Sequence, residues 1–160
     1  MWHFLVHVSL LALTFPMVVH PQESFRVMLV AISVKDLDST ATWYHKYLGF
    51  NLMDKKDFPD NNVTVAILEN NSVRIELVQH KESVAPSKLI PKLANPALIQ
   101  GYGKVAYDVA DIEQIVRTMK SDSVTFVHNL RDVDRGTFVG YKSCIVLDNN
   151  GNWVQLYQKK

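Results

Sequence analysis

The stretch from Val27 to Phe50, VMLVAISVKDLDSTATWYHKYLGF, decides the fold, because a weaker copy of it begins again in the second half of the chain. Val30-Ala31, Val34, Asp36 and Leu37 recur as Val105-Ala106, Val109, Asp111 and Ile112. In each copy a run dense in β-branched and apolar residues leads into a run with helical spacing, so a strand followed by a helix is expected twice. The copies also close alike, on Arg74-Ile75-Glu76-Leu77-Val78-Gln79 and on Trp153-Val154-Gln155-Leu156-Tyr157-Gln158. The fold class is therefore α+β, with one β-α-β-β-β unit used twice: residues 25–80, then a connection over 81–100, then residues 101–160.

Each unit can be traced locally. Phe25 to Val34 reads as a buried strand, and Asp38 is the expected cap of a helix in which Ala41, Tyr44 and Leu48 form a stripe beside Trp43 and Tyr47. Gly49 stands where a left-handed residue would stop that helix. Three strands follow, Phe50 to Lys55, Asn62 to Glu69 and Ser72 to His80, with turns at Asp57-Phe58-Pro59-Asp60-Asn61 and Asn70-Asn71. Asn62-Val63-Thr64 and Asn70-Asn71-Ser72 match glycosylation sequons, which matter only in a secreted eukaryotic protein. The connection carries Pro86, Pro91 and Pro96 and lacks periodicity, so it reads as a loop, either a strap between the halves or a cover over a cleft. In the second unit a strand runs from Gly101 through Val109, and Asp111 with Gln114 opens a helix whose stripe is Ile112, Ile115, Val116 and Met119. Strands over Thr125 to Asn129, Thr137 to Leu147 and Asn152 to Gln158 complete it, with Asn150-Gly151 at the last turn and a charged loop over Arg131 to Gly136.

Composition narrows the function. The 160 residues are 48% hydrophobic, enough for one domain with a substantial core. Seventeen basic against sixteen acidic side chains give a formal charge of +1 with no like-charge block, which argues against nucleic acid and for a small-molecule partner. Cys144 is the only cysteine, so an internal disulfide and a multi-thiolate zinc site are excluded, and its place in an alternating run marks a packed strand thiol. Trp2 to Val19 is apolar and gives way to a polar break at His20-Pro21-Gln22-Glu23-Ser24, so residues 1–24 read as a secretory signal peptide or N-terminal hydrophobic segment. Export would leave a mature domain over residues 25–160, secreted or periplasmic and without stable membrane association once processed. A retained membrane anchor or a cytoplasmic extension is the alternative.

These residues together resemble the vicinal oxygen chelate superfamily, which includes glyoxalase I, bleomycin-resistance proteins, extradiol dioxygenases and methylmalonyl-CoA epimerase. The resemblance spans about residues 25–159 and rests on Val30 to Val34 with Asp36-Leu37, on Trp43-Tyr44 followed by Leu48-Gly49-Phe50, and on Ile75-Glu76-Leu77. It rests also on Gly101-Tyr102-Gly103 with Val105-Ala106, and on Asp148 to Asn152 before the final strand. It implies two units cupped around a cleft, a homodimer, and a divalent Zn, Ni, Mn, Co or Fe held by inward side chains as a Lewis acid. The implied ligand positions fall on Leu29, Glu76, Lys104 and Gln155. Leu29 has no donor atom and Lys104 is a cation, so the usual metal is not expected, and none of His45, His80 and His128 falls on an inward position. Glu76, Lys104 and Gln155 are the expected ligand-binding residues. Glu76 is also the candidate general base, and Glu76 with Lys104 the candidate ion pair in place of the metal. The reading favoured is a metal-free small-molecule binder. A metal-dependent lyase, isomerase or dioxygenase is the alternative, and a purely structural protein the third reading.

Overall fold

Both copies of the repeat fold into the same unit, with the same strand order and the same caps. The computed structural model describes residues 27–90 and 100–160. The first unit runs β1 (Val30–Ser33), α1 (Leu37–Leu48), β2 (Asn51–Phe58), β3 (Val63–Asn70) and β4 (Val73–His80). A four-residue helix, α2 (Pro86–Leu89), follows in a segment expected to be all loop. The second unit runs β5 (Val105–Asp108), α3 (Ile112–Ser121), β6 (Phe126–Asp132), β7 (Tyr141–Leu147) and β8 (Trp153–Lys159). Two four-stranded sheets result, ordered β1-β4-β3-β2 and β5-β8-β7-β6. In each, the first strand lies parallel to the last while the other pairs are antiparallel.

The repeated letters have a shared physical purpose. Asp36 and Asp111 each cap a helix, accepting from the backbone N–H of Ser39 at 2.7 Å and of Gln114 at 2.9 Å. Gln79 and Gln158, near the ends of the two closing strands, each accept through Oε1 from the first N–H of the same helices, Leu37 at 2.7 Å and Ile112 at 2.9 Å. A helix start leaves its first N–H groups without intrahelical partners, and one Asp and one Gln per unit satisfy two of them. The first cap is Asp36 and not Asp38 as expected. Asp36 is extended, with φ −137° and ψ 111°, whereas Asp38 already lies in the first turn and pairs with Lys55 at 2.7 Å.

Strand limits moved for similar reasons. Val27, Met28 and Leu29 lie outside the first strand, and Phe25 lies outside the described residues, as do the N-terminal apolar run and residues 91–99 of the connecting segment. Pro59–Asn61 forms a 3-10 turn, and Asn62 and Asn71 take the left-handed conformation at the two turns of the first sheet. The charged loop is shorter than expected, because Arg131 and Asp132 continue β6. Tyr141 rather than Thr137 starts β7.

One core joins the units. Val34, Leu37, Tyr44, Leu68, Ile75 and Leu77 of the first pack with Ile112, Met119, Val146, Val154 and Leu156 of the second, all nearly inaccessible. The aromatics of α1 belong to it: Trp43 meets Tyr44 and Tyr47 edge-on at 5.0 and 5.1 Å, and Phe50 meets Tyr107 across the units at 5.7 Å. Each large side chain so buried contributes about 1.5–3 kcal/mol. Polar contacts reinforce the join. Tyr47 donates to Asp122 at 2.8 Å, Lys46 pairs with the same carboxylate, and Asn149 and Asn150 bond Thr40 at 3.1 and 2.8 Å. Among the described residues no helix is long and apolar enough to cross a membrane.

Candidate functional site

Strand alternation sends Ile75 and Leu77 toward the helices and core, and turns Glu76 to the other face. There Glu76 is half-buried, level with Ala31 on one side and Ile67 on the other. The second unit repeats the arrangement. Val154 and Leu156 face the core, while Gln155 stands level with Ala106 and Ile145. Leu29 and Lys104 each lie just ahead of their strand instead of within it, so Ala31 and Ala106 are the strand residues beside Glu76 and Gln155.

A hollow of about 510 Å³ opens on this face of the second sheet. Lys104, His128, Arg131, Ile145, Trp153 and Gln155 line it, beside Gly103. Of the expected site residues it therefore unites Lys104 with Gln155 and omits Glu76. No ion pair joins Glu76 to Lys104 within this chain. Neither Lys104 nor Arg131 enters an ion pair among the described residues.

His128 and Arg131 are the lining residues that sequence reasoning missed. Two irregularities in β6 place them there. Phe126 pairs with Val146 on the core face, His128 with Ile145 and Arg131 with Ser143, so β6 advances by two and then three residues where β7 advances by one and then two. An extra residue in one strand reverses the facing of all that follows. The first bulge turns His128 away from the core beneath Phe126, and the second keeps Arg131 on the same side. His128 then meets Trp153 edge-on, with ring centroids 6.2 Å apart and planes at 80°. His45 and His80 are engaged elsewhere: His45 Nδ1 lies 2.8 Å from the Phe50 carbonyl, and His80 Nδ1 accepts from the Glu82 N–H at 3.0 Å.

The floor carries one unpaired polar group. Gln155 is 7% exposed; its Nε2 donates to Ser143 Oγ at 2.8 Å, and its Oε1 is buried without a partner. Leaving a buried acceptor unsatisfied costs about 1–3 kcal/mol. Rotating the amide by half a turn would let Oε1 accept from the Ser143 hydroxyl, but Nε2 would then be the unpaired group. Either orientation leaves one buried hydrogen-bonding group of this amide unpaired.

A divalent cation does not suit this donor set. At the four implied ligand positions, Leu29 offers no donor, Lys104 repels a cation and Gln155 is a weak neutral ligand, which leaves Glu76 as the one anionic donor. Arg131 adds a second positive charge to the hollow. Among the described residues no three His, Cys, Asp or Glu side chains converge in a metal-binding group. Cys144 takes no part: it is 1% exposed, and burial pushes its thiol up to about 11.

Known proteins place this geometry in a family. The sequence profile of the Glyoxalase/Bleomycin resistance protein/Dioxygenase superfamily matches residues 26–156. A lactoylglutathione lyase of Neisseria meningitidis is 24% identical over 139 residues, covering 84% of this chain and 91% of that protein. The crystal structure of a glyoxalase family protein from Enterococcus faecalis superposes with a TM-score of 0.66 at 23% identity, covering 82% of this chain and 96% of the other. The trypanothione-dependent glyoxalase I of Leishmania major superposes with a TM-score of 0.63 at 21% identity, covering 85% and 88%. The doubled β-α-β-β-β unit, the matching sheet orders and the profile spanning both halves lead to one assignment: the chain belongs to the Glyoxalase/Bleomycin resistance protein/Dioxygenase superfamily.

Proposed function

We propose that the protein binds a small molecule in the hollow of its second sheet and does so without the divalent metal that the fold family implies. The observation that carries this reading is the hollow of about 510 Å³, a volume within the usual range of small-molecule sites, with Trp153 and Ile145 as apolar wall and floor. The donor set supports the metal-free part, since Lys104 and Arg131 oppose a bound cation. The second reading is a metal-dependent lyase, favoured by the 24% identity to a lactoylglutathione lyase and by Glu76 at an implied ligand position.

Metal content by plasma mass spectrometry, on protein purified without chelator, separates the two. The expected result is substoichiometric metal, no uptake on titration with Zn, Ni, Mn, Co or Fe, and thermal-shift hits from a small-molecule library that move the Trp153 indole N–H resonance. Stoichiometric metal that disappears in Glu76→Ala would overturn the metal-free reading and favour the lyase.

A further inference from the structure

We propose that the hollow of the second sheet takes a flat organic oxyanion, a carboxylate or phosphate on an apolar body, with the Lys104 ammonium and the Arg131 guanidinium replacing the metal as the source of positive charge. This rests on the reading that the hollow is the binding site, and it adds the class of ligand.

Three independent features converge on it. First, the charge is one-sided: Lys104 and Arg131 line the hollow, no carboxylate does, and neither cation is spent on an ion pair among the described residues. In a chain with a formal charge of only +1, this is local placement and not the overflow of a basic protein. Second, the positions are built. The first bulge of β6 turns His128 onto this face and the second keeps Arg131 there beside it, and Lys104 sits one residue ahead of β5 beside Gly103. A guanidinium fork matches the two oxygens of a carboxylate or two of a phosphate, and an ammonium adds a point charge. Third, the Gln155 amide is nine-tenths buried at the floor with one group unpaired. Flipped so that Oε1 accepts from Ser143, it would place an N–H instead of a carbonyl oxygen at the unpaired position. The ring of Trp153, set edge-on to His128, gives a flat ligand body an apolar wall.

Binding of benzoate, phenyl phosphate and the neutral isostere benzamide, followed by ¹H–¹⁵N NMR, tests this on the wild type, Lys104→Gln and Arg131→Gln. Both substituted residues are exposed, so the variants are expected to fold. The anions should move the Trp153 indole and Gln155 side-chain amide resonances, bind more tightly than benzamide, weaken with added salt, and lose about tenfold in affinity in each variant, the worth of one charge-assisted contact. A preference for benzoate or for phenyl phosphate identifies which oxyanion the site favours. Benzamide binding as tightly as benzoate, at the same resonances and indifferent to both substitutions, would overturn the oxyanion proposal while leaving the hollow as the site. Absence of any shift at Trp153 and Gln155 with all three probes would overturn both. Benzoate binding only after Zn is added would also defeat the proposal and restore the chelate mechanism.

Discussion

Replacing Asp148 should cost more stability than replacing any surface carboxylate, because its side chain holds together the turn that delivers Trp153 to the hollow. Asp148 is 5% exposed. Its carboxylate accepts from the backbone N–H of Asn150 at 2.8 Å, the backbone N–H of Asn152 at 2.9 Å and Asn152 Nδ2 at 2.9 Å, with the Tyr44 hydroxyl of the other unit at 3.4 Å. A hydrogen bond to a charged group is worth about 1.5–3 kcal/mol net, so the three short ones set a ceiling of roughly 5–9 kcal/mol. Two effects reduce it. Removing the carboxylate also removes its own desolvation cost of several kcal/mol. Water can reach part of the turn, since Asn150 and Asn152 are only half-buried. The expected loss for Asp148→Ala is about 2–4 kcal/mol, and for Asp148→Asn roughly half of it, because the amide oxygen can still accept both backbone N–H bonds. Urea unfolding followed by circular dichroism and tryptophan fluorescence measures the loss as a lower midpoint at unchanged slope. Hydrogen exchange of the Asn150 and Asn152 amides should accelerate in parallel. A loss below about 0.5 kcal/mol for Asp148→Ala, the range of ordinary surface substitutions, would refute the reasoning, as would an Asn variant no better than Ala.

Acid should destabilise the fold through a few exposed carboxylates. Lys46 and then Tyr47 hold Asp122 below the ordinary carboxylate range, Lys142 does the same for Glu113, and the Ser39 N–H for Asp36. A lowered folded-state value contributes stability that is present above the unfolded value and lost as pH falls through the folded one, so melting temperature should decline below about pH 4. Asp122→Asn should flatten that decline, and an unchanged profile would contradict the assignment. Cys144, with its thiol raised by burial to about 11, should react with a disulfide reagent only as fast as the protein opens, and at once in denaturant; rapid native labelling would place it at the surface. Gly49 has φ +65°, and a methyl group there would meet Asn70 Nδ2 at 3.4 Å. Gly49→Ala should cost about 1 kcal/mol, read as a fall of roughly 2–4 °C in melting temperature.

The sequence by itself determined the repeat, and with it the architecture. Paired Val-Ala, Asp and Gln positions required two equal units, and the structure shows the reason in the Asp36–Ser39 and Gln79–Leu37 contacts and their copies at Asp111 and Gln158. The helical stripes and the core role of the α1 aromatics were legible for the same reason: local periodicity maps directly onto a buried face. Gln155 and Lys104 were found by resemblance, and the structure brings both to one hollow. Only tertiary structure decided their company. Counting alternation misplaces His128, because it assumes a constant period of two and the bulge that breaks it exists only relative to β7, whereas Arg131 reads as a loop residue because the strand is expected to end at Asn129. The lack of an ion pair between Glu76 and Lys104 likewise depends on how the two units' sheets are set against each other. Sequence order does not reveal that setting, because contacts between distant segments decide it.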